Sequence, residues 1–330
     1  RDVARLQAQQ DIPLLLRCTL PKQAVQEDAP WLKALEEALR DVSKGHHLAA
    51  AEKLKNLTAD APNEPLPLQW LAEVQTSLAD RQGEIESLRR LAALDIPWDD
   101  AVEAEARAML ISDDALGDGV DTLRIVWNVE DSEELQTAIR LDPRTFVLPN
   151  PPSESDDDDP PPRLTFVLLD RPTPGKDDEI TPANLASPRA QGLLFGKRTD
   201  RDARLEVSGF LADHRSEIES QVAELVGGAL GKIAEQEVIG RTSRSIDLIE
   251  TEFTRPDVAD PNALREAIGQ FTREAVLDRW PEIALGALGG RTPRDVADSN
   301  PDKAQLRKLA AVVMTLQSLV ESAAERELFE

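Results

Sequence analysis

Apolar residues recur at helical spacing through the first third of the chain: Leu35, Leu39 and Val42; Ala51, Leu54 and Leu57; Trp70, Val74 and Leu78; Ile85, Leu88 and Ala92. Each set lines one helical face, so residues 31–95 predict four helices, with Gly45 and Gly83 at the hairpin turns and Pro62 and Pro97 closing the pairs. A fifth helix is predicted from about Trp98 to Ile111, with Val102, Ala106 and Met109 inward. At Gly117-Asp118-Gly119 the period changes. Leu123, Ile125, Trp127 and Val129 alternate, which predicts a half-buried strand over Thr122 to Val129. Ser132 is then read as the N-cap of a helix carrying Leu135, Ala138 and Ile139, and Thr145 to Leu148 as a second strand. Further strands are predicted over Arg163 to Leu169, Gln191 to Lys197 and Ala203 to Phe210, the last two as an antiparallel hairpin. From Ser216 the spacing turns helical, through Ile218, Val222, Leu225 and Val226, and the helical reading continues to the C-terminus with breaks around Gly240 to Ser243 and at Pro256 and Pro261.

The pattern implies an α+β fold, mainly helical: a helical stack over 1–118, a small antiparallel α+β domain over 119–212 with one helical layer, and a helical C-terminal region over 213–330. Inside the middle domain, residues 149–162 combine six prolines with Glu154 and the run Asp156-Asp157-Asp158-Asp159, a composition that cannot bury a core and predicts a solvated loop. Its aspartates lack the alternating spacing and glycine of a calcium loop.

In the first third, Ala38, Leu54 and Leu57 recur as Ala72, Leu88 and Leu91, and Ala72 recurs as Ala106, each shifted by about 34 residues. Small residues at such positions let adjacent helices approach closely. With Trp70-Leu71-Ala72 supplying half of the family's Trp-Leu-Gly-Tyr core, this segment resembles two tetratricopeptide-type hairpins and a third first-helix. The resemblance implies a concave face that binds a peptide or partner protein, and a cap or neighbouring domain to close so short a stack.

Near the other end, Leu288-Gly289-Gly290-Arg291-Thr292-Pro293-Arg294-Asp295 reads as a sharp glycine turn into a helix, with Thr292 at the N-cap, Pro293 in the first helical position and Asp295 as the reciprocal acid of a capping box. Before it, Phe271, Ala275, Val276 and Trp280 keep helical spacing until Pro281, and after it a helix from about Asp302 carries the stripe Leu306, Leu309, Val313, Leu316 and Val320. Residues 271–320 resemble the C-terminal toxin-binding domain of antitoxins of the Xre, MbcA and ParS type. That resemblance implies a small helical unit that presses on a partner toxin, with Trp280, Arg291 and Arg294 near the contact. The N-terminal DNA-binding helices usual in that family are not evident.

The 330 residues carry 62 acidic and 38 basic side chains, a formal charge of −24. This balance argues against a general nucleic-acid or anionic-membrane binder, since both demand basic surface. Aromatics make up 4% and tyrosine is absent, so the cores must be built from Leu, Ala, Val and Ile. The single cysteine, Cys18, sits among Leu14, Leu15, Leu16 and Leu20 and is read as apolar filler, and no apolar run reaches transmembrane length. An intracellular, cytoplasmic, bacterial-type protein is expected. The missing initiator Met predicts a processed or excised piece of a longer chain.

No catalytic, cofactor or metal constellation emerges. His46 and His47 are adjacent, so a regular helix points them apart, and no zinc spacing occurs. Gly227-Gly228-Ala229-Leu230-Gly231-Lys232 lacks the Walker pattern and is read as a helix break. The densest basic cluster, Lys197, Arg198, Arg201 and Arg204, is a candidate anion grip, with local pairing to Asp200 and Asp202 as the alternative reading; Arg241, Arg244 and Arg255 form a second such cluster. The expected function is a non-catalytic protein–protein interaction module, an adaptor or regulatory scaffold that uses the helical groove and the C-terminal hairpin. Its partner is another protein or peptide. Trp70 and Trp280, with Arg291 and Arg294, are the candidate contact residues, because Trp and Arg dominate interface energies, though either tryptophan equally suits a core position. The alternatives are an antitoxin-like inhibitor of a partner enzyme, and an enzyme centred on His214, Arg198 and neighbouring aspartates.

Overall fold

The computed structural model describes residues 28–149, 161–197, 201–226, 229–254, 260–320 and 328. Cys18, the four aspartates at 156–159, Arg198, Asp200, Gly227-Gly228 and Arg255 lie outside the described residues. Among the described residues, eleven α-helices and a six-stranded antiparallel sheet make the fold α+β and mainly helical. The chain divides into two compact units, one of residues 1–118 with 281–330, the other of residues 119–280.

Among the described residues, the first unit has five successive helices, α1 (Leu32–Ser43), α2 (His47–Asp60), α3 (Pro65–Ser77), α4 (Arg81–Ala93) and α5 (Trp98–Leu110), each packed on the next. The recurring alanines Ala38, Ala72 and Ala106 are all buried, as are Leu54, Leu57, Leu88 and Leu91, so the helices close on small and aliphatic side chains. Gly45 is the left-handed turn residue expected between α1 and α2. Gly83 is not a turn residue. It lies in the first turn of α4, where its N–H donates to the N-cap Asp80, and the positive-φ turn position is Ala79.

Two later helices complete this unit, α10 (Pro293–Asp298) and α11 (Lys303–Leu319), and α11 lies along α5. The approach to α10 is built as its sequence requires: Gly289 and Gly290 both have positive φ, Thr292 Oγ1 accepts from Asp295 N at 3.0 Å, and Thr292 N donates back to Asp295 Oδ2. Upstream, Gly286 N donates to Gly117 O at 3.1 Å and Ala287 N to Leu116 O at 3.0 Å. A Cβ on Gly117 would stand 2.6 Å from Gly286 Cα, so this backbone-to-backbone approach needs glycine. In α11 the buried face is Arg307, Ala311, Val312, Thr315 and Leu316. The predicted stripe holds at Leu316 and Val320 and fails at its start, where Leu306 is 42% exposed and Arg307 takes the inner position.

The second unit is built on strands β1 (Gly119–Val129), β2 (Thr145–Leu148), β3 (Leu164–Leu169), β4 (Pro188–Phe195), β5 (Arg204–Leu211) and β6 (Leu230–Ser243), in the order β2-β3-β4-β5-β1-β6. The predicted hairpin is present as β4 and β5, paired Leu194 with Leu205. Helices α6 (Ser132–Leu141) and α7 (Arg215–Val226) cover one face, burying Leu135, Ile139, Ile218 and Val222 against Ile125, Phe166, Leu168, Leu194 and Val207. The N-cap of α6 is Asp131 rather than Ser132, its carboxylate accepting from Glu133 N and Glu134 N at 2.9 Å.

The helical reading of residues 213–330 is corrected at β6, which pairs with β1 along its length, and α7 with β6 belongs to the sheet unit rather than to a separate C-terminal region. β6 is an edge strand, exposed over most of its length and with register shifts against β1, so neither alternation nor burial marked it. Beyond it, α8 (Arg244–Ile249) and α9 (Pro261–Glu274) lead to Trp280.

Candidate functional site

In the helical unit, α4, α5, α11 and the 114–117 and 286–287 segments enclose a groove of about 660 Å³. Its apolar lining is Ala92 and Ala93 of α4, Ala101 and Met109 of α5, and Ala304 of α11. Small side chains leave the space open there. Charge enters from three helices: Arg89, Glu105 and Lys308. Burial pushes the Glu105 carboxyl up, and Lys308 and then Arg89 pull it back.

Arg307 fixes the groove's end. Its guanidinium is buried and donates to the carbonyls of Leu94 at 3.0 Å, Ile96 at 3.1 Å and Ala92 at 3.3 Å, the acceptors left over where α4 stops. Thr315 Oγ1 reaches Ala106 O at 3.4 Å farther along the same contact. Thus α11, some two hundred residues downstream, packs along α5 and is tied to the end of α4.

Charge is also buried inside this unit. Arg107 of α5 lies 3.6 Å from Glu84 of α4, both side chains under a tenth exposed. Beside them on α3, burial raises the Glu73 carboxyl to about 7 against the opposing pull of Arg107, and Glu73 Oε1 is buried without a hydrogen-bond partner.

The residues predicted as partner contacts fall elsewhere. Trp70 is half-buried against the α1–α3 core and does not line the groove. Trp280 belongs to the sheet unit, is 5% exposed, and donates from Nε1 to the buried Ser245 Oγ at 3.2 Å, so it takes the core alternative. Arg291 donates to Asp295 O and Ser299 Oγ, both at 2.8 Å, and Arg294 pairs with Glu282. These two arginines brace the hairpin turn.

In the predicted anion grip, Lys197 pairs with Asp202 at 3.3 Å, Arg204 pairs with Glu206 at 2.7 Å and stacks on Phe195 with its guanidinium carbon 4.1 Å from the ring centre, and Arg201 is exposed. Of the local pairs weighed for this cluster, Lys197 with Asp202 is present, and Arg204 turns to Glu206 instead. Arg244 of the second cluster pairs with Asp213 at 2.6 Å, and Arg241 donates to Gly119 O at 2.9 Å. His214 lines a separate cleft of the sheet unit, with Arg189 beside it.

The groove residues Arg89, Glu105, Arg307 and Lys308 carried no motif. Their one sequence signal is the density of alanine at Ala92-Ala93, Ala101, Ala104 and Ala106 on helices otherwise rich in charge. Among the described residues no cluster of His, Cys, Asp and Glu could hold a metal ion, and no helix is long and apolar enough to cross a membrane. Comparison with protein-family models, with curated proteins and with solved structures finds no match to the chain.

Proposed function

We propose that this protein is a non-catalytic protein–protein interaction module, an adaptor or regulatory scaffold, whose helical unit holds a segment of another polypeptide in the groove between α4, α5 and α11. The observation that carries the reading is the groove itself: a lining of alanine and Met109 for apolar side chains, with Arg89, Glu105 and Lys308 placed to select by charge. On this reading the hairpins are of tetratricopeptide type and α11 serves as their cap. The 34-residue recurrence of Ala38, Ala72 and Ala106 at buried positions supports it.

The antitoxin-like alternative is less well supported, since Trp280 is buried and Arg291 and Arg294 are engaged internally. The test is affinity capture from native lysate with the intact chain beside the double variant Arg89→Glu/Lys308→Glu. A stoichiometric polypeptide retained by the first and lost from the second is the expected result. No such polypeptide, or equal recovery with both, would refute the proposal.

A further inference from the structure

The sheet unit contains an open cleft of about 480 Å³ between α7 and the ends of β2, β3 and β4, floored by Ile218. Three arginines reach it from three chain segments, Arg144, Arg171 and Arg189, together with His214. Two of them are answered within the chain. Arg144 pairs with Asp142 and Glu224, each at 3.0 Å, and Arg171 pairs with Asp170 at 2.8 Å. Arg189 differs: among the described residues no carboxylate stands at ion-pair distance from it, and its hydrogen bond is to His214 Nδ1 at 3.4 Å.

A guanidinium can only donate, so this contact holds Arg189 through the Nδ1 lone pair of His214. This contact turns Arg189 without neutralising it. In a chain of 62 acidic residues, a half-buried guanidinium whose remaining donors face a concave site lacks a partner that the sequence could easily have supplied. Around it stand the hydroxyl-bearing side chains of Ser216 and Ser220 of α7. Glu217 lies at the same mouth, and Asp247 is near enough that His214 and Arg189 pull its carboxyl down against the burial that raises it. The carboxylates limit affinity and the arginine and hydroxyls supply it.

We infer that this cleft binds the phosphoryl group of a small phosphorylated molecule, with Arg189 as its principal charge partner, held in place by His214, and Ser216 and Ser220 as donors. The volume is that of a small-molecule site rather than of a peptide groove. A tetrahedral dianion fits this donor set better than a carboxylate, because its oxygens can accept from the guanidinium and both serine hydroxyls from different directions at once. The inference is independent of the interaction groove, which lies in the other unit.

The experiment is calorimetric titration of the full chain with inorganic phosphate, with acetate as the carboxylate control. Saturable one-site phosphate binding is expected, weakened about tenfold or more by Arg189→Ala. It should be largely kept by Arg189→Lys and strengthened by Asp247→Asn, which removes a competing charge. Circular dichroism melts identify any variant that fails to fold, and the lysine variant then carries the comparison. Absence of saturable phosphate binding, equal affinity for acetate, or undiminished binding by folded Arg189→Ala would each overturn it.

Discussion

Glu73 carries a charge balance that pH can read directly. Burial holds its carboxyl near 7 in the folded chain, and the unfolded chain offers an ordinary carboxyl near 4.5. The folded state therefore binds the proton more tightly, and the protonated carboxyl is fully compatible with the fold below about pH 4.5. Between pH 4.5 and about 7 the unfolded chain ionises first and stability is progressively lost, up to on the order of 1–3 kcal/mol. Glu73→Gln mimics the protonated form. Urea unfolding should show it more stable than the parent at pH 8 and nearly equal to it at pH 4, and a variant less stable at pH 8 would contradict the assignment. The Thr292 cap is a second single-residue case, since its hydroxyl accepts from Asp295 N at 3.0 Å and the Asp295 carboxylate returns the bond. Thr292→Ala should cost about 1 kcal/mol in the same measurement, with the loss confined to the helical unit.

Among the elements, α11 sets a guanidinium and a hydroxyl, Arg307 and Thr315, into its inner face beside Ala311, Val312 and Leu316. Replacing Arg307 by Met keeps the aliphatic stem but strips the carbonyls of Ala92, Leu94 and Ile96 of their donor. The helical unit should lose about 2–4 kcal/mol, read as a lower midpoint in its chemical unfolding. The same polar positions explain why the predicted face of α11 held at Leu316 and Val320 but not in its first turns: a stripe drawn through leucine and valine has no reason to pass through arginine. Helices α1–α5 and strands β1, β4 and β5 were legible because each buries one face more than the other, and burial prints its period on the sequence. β6 buries neither face. Lys232, Ile233, Ala234, Glu235, Gln236 and Glu237 follow no alternation, and glutamate, glutamine and alanine in that run favour helix. Its exposed Ile233, Val238 and Ile239 lie on a sheet edge. Val238→Lys should leave stability within about 0.5 kcal/mol and raise the concentration at which the protein precipitates. The two candidate sites were illegible for a different reason, since each draws its side chains from several distant segments and no short spacing joins them.

For the whole molecule, the decisive fact is the path of the chain through its units: the helical unit is interrupted after Asp118 and resumes at Pro281, with the entire sheet unit inserted between. An insertion of this kind is tolerated when the host's two ends lie close together and the host closes its own core. Both conditions hold within the helical unit. Gly117 O and Gly286 N are 3.1 Å apart, and α11 lies along α5 with Arg307 bound to the end of α4. The host fold should therefore survive removal of its guest. Replacing residues 119–280 with a short glycine–serine linker is expected to give a chain with strongly helical circular dichroism, a single cooperative melt, and the same loss of stability on Arg307→Met as in the full protein. Residues 119–280 alone should give a second, separate transition rich in strand. An aggregated or non-cooperative product from the linked chain would show that the helical unit depends on its insertion, and the groove between α4, α5 and α11 would then have to be studied in the intact protein alone.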